Sequence, residues 1–201
     1  MCSSDLDARA ALEARSRPAG AFDPSRYFRA ETPLVFLNVR MPEVRALARA
    51  LSSAHRETWT FEDALSIADA LLGDPCFEMK ALGVELLARY RRHAGPRHLR
   101  VWKRWLAANR AANWATTDSL CGALIGPLLL REPSLVPDVA SWAVHRNLWV
   151  RRASAVTLVK LAARGLALDT AYGVASALQG DSHDLIHKAA GWLLREAGRT
   201  D

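Results

Sequence analysis

Cysteine is scarce in this sequence of 201 residues, which has three copies at Cys2, Cys76 and Cys121. An odd number of widely spaced cysteines supplies no disulfide framework and is typical of proteins kept in a reducing compartment. No apolar run approaches the roughly 18 residues that a membrane-spanning helix needs. Residues 1–17 carry charges of both signs and lack the apolar stretch of a secretory signal. We therefore expect a cytoplasmic, bacterial-type protein with no membrane partner.

Strand patterns are also nearly absent, since only the short apolar segment 34–39 has a β-leaning composition. Elsewhere apolar residues recur with the 3.6-residue period of amphipathic helices. Asn113, Asn147 and Ser182 precede such segments and are placed as N-caps. The predicted helices cover residues 5–16, 24–31, 42–55, 61–73, 76–94, 97–110, 114–130, 134–146, 148–164, 168–179 and 183–197.

A repeat of 36 residues relates parts of the chain. The segment Val150–Leu158 aligns with Ile186–Leu194, and Met79–Leu87 lies about two periods upstream. A hydrophobic residue, a basic residue, a small alanine and then spaced aliphatics are typical of HEAT-like helix pairs. The sequence therefore predicts an all-α fold, an α-solenoid of HEAT-like repeats. We expect a single domain over residues 1–201, with N-terminal helices in 1–40 and repeats in 41–201.

Positive charge is concentrated in the second half of the chain, although the formal net charge is only +6. Residues 1–85 hold 10 Lys and Arg against 13 Asp and Glu, whereas residues 86–201 hold 17 against 8. The stretch Leu86–Thr117 contains eight cations and no acid, and Val139–Leu168 is also free of acids. This asymmetry favours a polyanionic partner over an arginine-rich face that is merely solvated.

Large aromatic, acidic and cationic residues recur at matching levels of three successive repeats. Helical spacing places each group on one face of its own helix, and a solenoid brings matching faces of its repeats together. The residues are Trp114 and Asp118 in the first group, Trp149 and Arg152 in the second, and Lys188, Trp192 and Arg195 in the third. We expect them to line one concave groove.

The segments that contain these residues resemble a known family. Asn113–Asp118, Trp149–Ala153 and Lys188–Glu196 resemble, in order and spacing, the signature segments of the DNA alkylation repair glycosylases built of HEAT-like repeats, the AlkD-like family. Phe36–Pro42 is similar to an N-terminal segment of the same family. The chain differs from the usual pattern where Ala115 replaces an acid, Thr117 an aliphatic residue and Asn38 a glycine.

The resemblance implies a hydrolase that removes cationic alkylated purines, such as 3-methyladenine and 7-methylguanine, from duplex DNA in base excision repair. It implies Asp118 as the carboxylate that stabilises an oxocarbenium ion and orients water, with Trp114 and Trp192 against the sugar. The further DNA contacts that it implies are Arg152, Arg195, Lys188, Arg151 and Tyr27. We expect no cofactor or metal, a monomer, and association with the nucleoid when the protein is bound to DNA.

Two other readings of the polar residues carry less weight. His183 and His187 are four residues apart, but Asp184 stands in place of the usual glutamate and no third zinc ligand is evident. Cys121 has no histidine at a recognisable spacing and is expected to be a small buried residue.

Two other functions stay open: a catalytically weak paralogue that binds DNA structures, and a protein-binding HEAT scaffold.

Overall fold

The computed structural model describes residues 3–20, 28 and 34–201. In these residues the chain folds into α-helices. The helices, in chain order, are α1 Ser3–Glu13, α2 Met41–Ala54, α3 Phe61–Leu72, α4 Phe77–Arg89, α5 Pro96–Ala107, α6 Trp114–Leu120, α7 Gly126–Arg131, α8 Val136–Ala140, α9 Leu148–Ala162, α10 Leu168–Leu178 and α11 Asp184–Ala197. A π-helical turn, Cys121–Ile125, joins α6 to α7, and short 3-10 turns cover Arg91–His93, Pro133–Leu135 and Ser141–Val144. The all-α prediction is confirmed. Of the helix predicted over 24–31, all but Phe28 lie outside the described residues.

Two of the three predicted N-caps are confirmed. Asn113 Oδ1 accepts the amide of Thr116 at 2.8 Å, and Asn147 Oδ1 accepts the amide of Trp149 at 2.8 Å. The cap predicted at Ser182 is wrong, since the side chain that accepts the amide of Leu185 is His183 Nδ1. A neutral imidazole nitrogen offers the same kind of acceptor as a hydroxyl, one residue later.

Prolines interrupt one of the predicted helices. The helix predicted over 134–146 is replaced by the short helix α8, with 3-10 turns at Pro133–Leu135 before it and Ser141–Val144 after it. Pro133 and Pro137 each lack the N–H that a continuous helix needs. The β-leaning segment 34–39 makes a single parallel bridge, between Val35 and Cys76.

Contacts divide the chain into two compact units. Unit 1 comprises Met1–Ala94 and Arg110–Thr116, and unit 2 comprises Gly95–Asn109 and Thr117–Asp201. The helix pairs within each unit are compatible with HEAT-like repeats. The single solenoid domain over 1–201 stays a prediction.

In unit 1, helix α4 packs between α2 and α3 and is buried along most of its length. Its Glu78, 2% exposed, accepts the amides of Leu37 at 3.1 Å and Val39 at 3.3 Å. Between them, Asn38 has a left-handed backbone, with φ of 57°. Asparagine tolerates that conformation better than other residues with a side chain. The exchange of the family's usual glycine for Asn38 is therefore compatible with the same local backbone.

In unit 2, helix α9 packs against α5, α10 and α11 and is the most deeply buried helix. Trp102 and Trp105 of α5 and Trp142 add large buried rings to its core. Gly165, with φ of 68°, ends the turn that follows α9 in the left-handed conformation that glycine adopts freely.

No single helix in the described ranges is long and apolar enough to cross a membrane. One pair, Trp114–Arg131 with Pro133–Val144, meets that test together by length and composition alone, and the two parts are bent by 116°.

Candidate functional site

Asp118 and Arg152 form a bidentate ion pair inside unit 2. Arg152 Nε donates to Asp118 Oδ1, and Nη2 donates to Oδ2, each at 2.8 Å. The Arg152 side chain is 6% exposed and the Asp118 side chain 17% exposed, so the carboxylate is the member that still reaches solvent. Arg152 Nη1 also donates to the carbonyl oxygen of Leu185. The planar guanidinium is thus held on two edges and fixes the position of the Asp118 carboxylate.

Three helix starts supply the parts of this arrangement. Asp118 lies in α6, Arg152 follows the Asn147 cap of α9 by five residues, and Leu185 lies in the first turn of α11. Thr117, directly before Asp118, is fully buried. Thr117 therefore occupies a core position, where an aliphatic side chain would also fit.

The environment of Asp118 acts on its protonation in two opposed directions. Burial of the carboxylate raises the pKa of Asp118 above its ordinary value, while the hydrogen bonds and charge of Arg152 act to lower it. A buried carboxylate paired with arginine is a localised negative charge in surroundings that screen it weakly. Such a charge suits the stabilisation of a cation that forms beside it.

Helix α11 carries the residues predicted from the last repeat. Ile186, Ala189 and Leu193 face the core, while Trp192 is half-buried. Trp192 follows Leu185 by seven residues and so lies two turns further along the same side of the helix.

The two predicted cations of α11 are exposed. Lys188 pairs with Asp184 at 2.7 Å and keeps 63% of its side-chain surface exposed, and Arg195 contacts Glu196 at 3.3 Å with 66% exposed. Exposed pairs of this kind exchange readily for other anions. Both cations are therefore accessible to a phosphate, and their DNA-binding role stays a prediction.

Arg151 and Arg152 are neighbours in sequence but have different partners. Arg151 Nε donates to Asp181 Oδ2 at 2.6 Å, and Nη1 donates to the carbonyl oxygens of His145 and Arg146 at 3.0 and 2.9 Å. These contacts tie the turn before α9 to the turn before α11. In this structure both arginines are engaged by protein groups, so the phosphate contacts predicted for them stay untested. Tyr27, also predicted, lies outside the described residues.

Trp114 belongs to unit 1, where it is half-buried and stacked on Phe28 with ring centroids 5.9 Å apart. Phe28 in turn contacts Phe36 and Phe77, at 5.4 and 4.8 Å between centroids. The sequence pattern does not predict this aromatic cluster, because its members are far apart in the chain. Phe36, within the segment that resembles the family's N-terminal motif, was the available signal.

The segment that leads to Trp114 is held by two buried or half-buried cations. Lys80 Nζ donates to the carbonyl oxygens of Leu72 at 2.7 Å and Arg110 at 2.8 Å, and Arg110 Nη1 donates to the carbonyl oxygen of Asp69 at 2.7 Å. Burial lowers the pKa of Lys80. The start of α6 is thereby fixed to unit 1.

Cysteine chemistry is disfavoured by burial. The thiol of Cys121 is fully buried, and burial raises its pKa to about 12, while burial raises the pKa of Cys76 to about 11. Since the thiolate is the nucleophile, neither thiol is activated near neutral pH. Among the described residues, no three His, Cys, Asp or Glu side chains converge as a metal site.

We expect these two thiols to react only when the protein unfolds. The test uses a Cys2→Ser variant and a thiol-reactive disulfide reagent at pH 8. The native protein should be labelled orders of magnitude more slowly than the denatured protein, because its two buried thiols are protonated and the reagent cannot reach them. Stopped-flow absorbance measures the two rates. Labelling of native Cys121 at the rate of a free cysteine would contradict its placement in the core.

Comparisons with known proteins identify the family and the fold of this chain. The family model described as DNA alkylation repair enzyme matches residues 8–201. A solved structure described as a predicted DNA alkylation repair enzyme from Enterococcus faecalis matches with a TM-score of 0.71 and 17% identity, and the match covers 98% of this chain and 83% of that one. At that identity the likeness concerns the fold. No curated protein matches the sequence.

Proposed function

Since this chain belongs to the DNA alkylation repair enzyme family, we propose that it is a DNA glycosylase of base excision repair. Its substrates are cationic alkylated purines in duplex DNA, such as 3-methyladenine and 7-methylguanine. The observation that carries the proposal is the Asp118–Arg152 pair, which presents a fixed and partly exposed carboxylate.

Hydrolysis of this glycosidic bond needs few protein groups beyond the negative charge of Asp118. When the bond from C1′ to the base nitrogen breaks, its electron pair goes to the base and neutralises the positive charge of the alkylated purine. The sugar is left as an oxocarbenium ion, and water forms the new bond to C1′ and releases a proton. Because the base leaves as a neutral molecule, no general acid is needed to protonate it.

Asp118 fits both remaining tasks. Its negative charge lies opposite the cation that develops at the sugar, and its free lone pairs orient the attacking water. Arg152 occupies one hydrogen-bonding site on each carboxylate oxygen and leaves the others available. Trp192 and Trp114 are the aromatic faces predicted to contact the sugar, where the negative quadrupole of a ring favours a cation.

The test is release of base from duplex DNA treated with a methylating agent. We expect the purified protein to release 3-methyladenine and 7-methylguanine, quantified by chromatography, and to leave the neutral bases of untreated DNA in place. A protein that binds the duplex and releases no base would instead support the alternative of a catalytically weak paralogue.

As the pH is lowered, the rate of base release should begin to fall at a higher pH than it would if the carboxylate of Asp118 were exposed. Burial raises the pKa of Asp118 above its ordinary value of 3.8, and only the deprotonated form carries the charge that stabilises the cation. Activity is therefore present above the pKa of folded Asp118 and is lost as the pH falls through it. Single-turnover release measured against pH, with spontaneous depurination subtracted, gives the position of this limb. A limb at or below 3.8 would contradict the assignment of Asp118.

A further inference from the structure

Helix α5, Pro96–Ala107, has an exposed face made of arginines. Its buried side holds Leu99, Trp102, Trp105 and Leu106, each less than 5% exposed. On the opposite side, Arg97, Arg100 and Arg104 are exposed. With 3.6 residues per turn these three lie within about 60° of one another around the helix axis, and with 1.5 Å per residue they extend over about 10 Å. We call these three residues the arginine row.

The arginine row does not stabilise its own helix. Arg97 lies in the first turn, where the positive end of the helix dipole disfavours a cation, and that turn contains no acid. Arg100 and Arg104 are four residues apart, a spacing at which like charges repel. Neither of these two forms an ion pair with any described residue. A face selected for stability would carry acids at some of these positions.

The surroundings of the row in unit 2 are also positive. Asn147 Nδ2 donates to the carbonyl oxygen of Ala107 at 3.3 Å and so joins the end of α5 to the start of α9. Lys103 Nζ lies over the ring of Trp142 at 5.6 Å. His145 directly follows the turn Ser141–Val144 that contains Trp142. Its pKa is lowered by burial and, to a smaller extent, by the charges of Lys103, Arg146 and Arg151. Both segments that meet here belong to acid-free stretches of the sequence.

We propose that the arginine row of α5 is a binding surface for the sugar-phosphate backbone of duplex DNA, additional to the residues around Asp118. A duplex carries one phosphate per strand for about every 3.4 Å of its axis, so a row of about 10 Å spans about three phosphates. The row is connected through Asn147 to the helix that carries Arg152, which follows the cap by five residues. The proposal rests on the proposed function, because it takes damaged duplex DNA as the partner.

The experiment compares two double variants that remove the same charge. Arg100→Gln with Arg104→Gln removes two members of the row and keeps a good helix-forming residue at both positions. Arg49→Gln with Arg56→Gln removes two exposed arginines of unit 1 and is the control. Affinity for a short undamaged duplex is measured by fluorescence anisotropy from 50 to 200 mM salt.

We expect only the α5 variant to lose affinity, by about tenfold or more at 0.1 M salt, with a salt slope reduced by about 1.8 for two lost phosphate contacts. The control should bind as the wild type does. An α5 variant with unchanged affinity and slope overturns the proposal, and so do equal losses in both variants, since these indicate an effect of net charge.

Failure of the row and failure of the glycosylase are distinguishable. One outcome is that the wild-type protein releases no base, while the α5 variant alone has a lower affinity for DNA and a weaker dependence of that affinity on salt. This outcome supports the arginine row as a DNA-binding surface and contradicts the glycosylase assignment. If base is released and the α5 variant binds as the wild type does, the row fails and the glycosylase stands.

Discussion

Replacing Asp118 by asparagine should lower the single-turnover rate of 7-methylguanine release by about 10²–10³, the usual loss for one well-placed electrostatic stabiliser. The amide keeps the size of the side chain and removes the negative charge that faces the oxocarbenium ion. Affinity for DNA should stay the same or rise slightly, because one anion near the phosphates is lost. Base release is measured with protein in excess over methylated duplex, and affinity is measured by anisotropy.

The chain offers a matched control for this substitution. Asp181 is also a carboxylate paired with an arginine in unit 2, with Arg151 Nε at 2.6 Å from Oδ2. Asp181→Asn should therefore disturb a comparable ion pair and keep base release within a few-fold of the wild type. Circular dichroism of both variants verifies that they are folded at the assay temperature. An Asp118→Asn protein that releases base at the wild-type rate would exclude the mechanism.

The sequence predicted the elements of this protein better than the contacts between them. Periodicity and asparagine caps located most helices, because helix starts depend on groups within three or four residues of each other. The prediction failed at Ser182, where His183 offers an equivalent acceptor. It also failed over 134–146, because short turns around Pro133 and Pro137 replace the continuous helix that the apolar pattern suggests.

The candidate site shows the same limit at the level of side chains. Spacing placed Asp118 and Arg152 at matching levels of two repeats, and the structure brings them into contact. The sequence could not predict the partners of Arg151 and Arg152, because the partner of a long side chain is decided by distant groups. Here those groups are the Leu185 carbonyl for one arginine and Asp181 for the other.

The sequence shows where positive charge lies along the chain, and the structure separates the exposed cations from those that contact protein groups. The acid-free stretch Leu86–Thr117 indicated a polyanionic partner, but composition does not separate exposed from engaged cations. Arg110 is engaged with Asp69, whereas Arg100 and Arg104 are exposed on α5. The exposed arginines of α5 therefore lie outside the segments that resemble the family's motifs.

Replacing Arg152 by glutamine should both destabilise the fold and change the pH dependence of base release. Removing one member of a buried ion pair leaves the other charge uncompensated and commonly costs about 3–5 kcal/mol of unfolding free energy. Arg152 also acts to lower the pKa of Asp118, so without it the effect of burial is unopposed and that pKa rises further. The acidic limb of base release should therefore move to higher pH. Urea denaturation measures the first effect and single-turnover rates against pH measure the second.

The neighbouring variant Arg151→Gln separates the two effects. It breaks the Arg151–Asp181 pair, whose side chains are 20% and 9% exposed, so it should also lower the free energy of unfolding. Its acidic limb should stay where the wild type has it, since the charges that act on the pKa of Asp118 do not include Arg151. In the double variant Asp118→Asn with Arg152→Gln, the loss of stability should be smaller than the sum of the single losses, because no buried charge is left unpaired. If Arg151→Gln and Arg152→Gln shift the limb equally, Arg152 does not set the protonation of Asp118, and the shift reflects a general loss of structure.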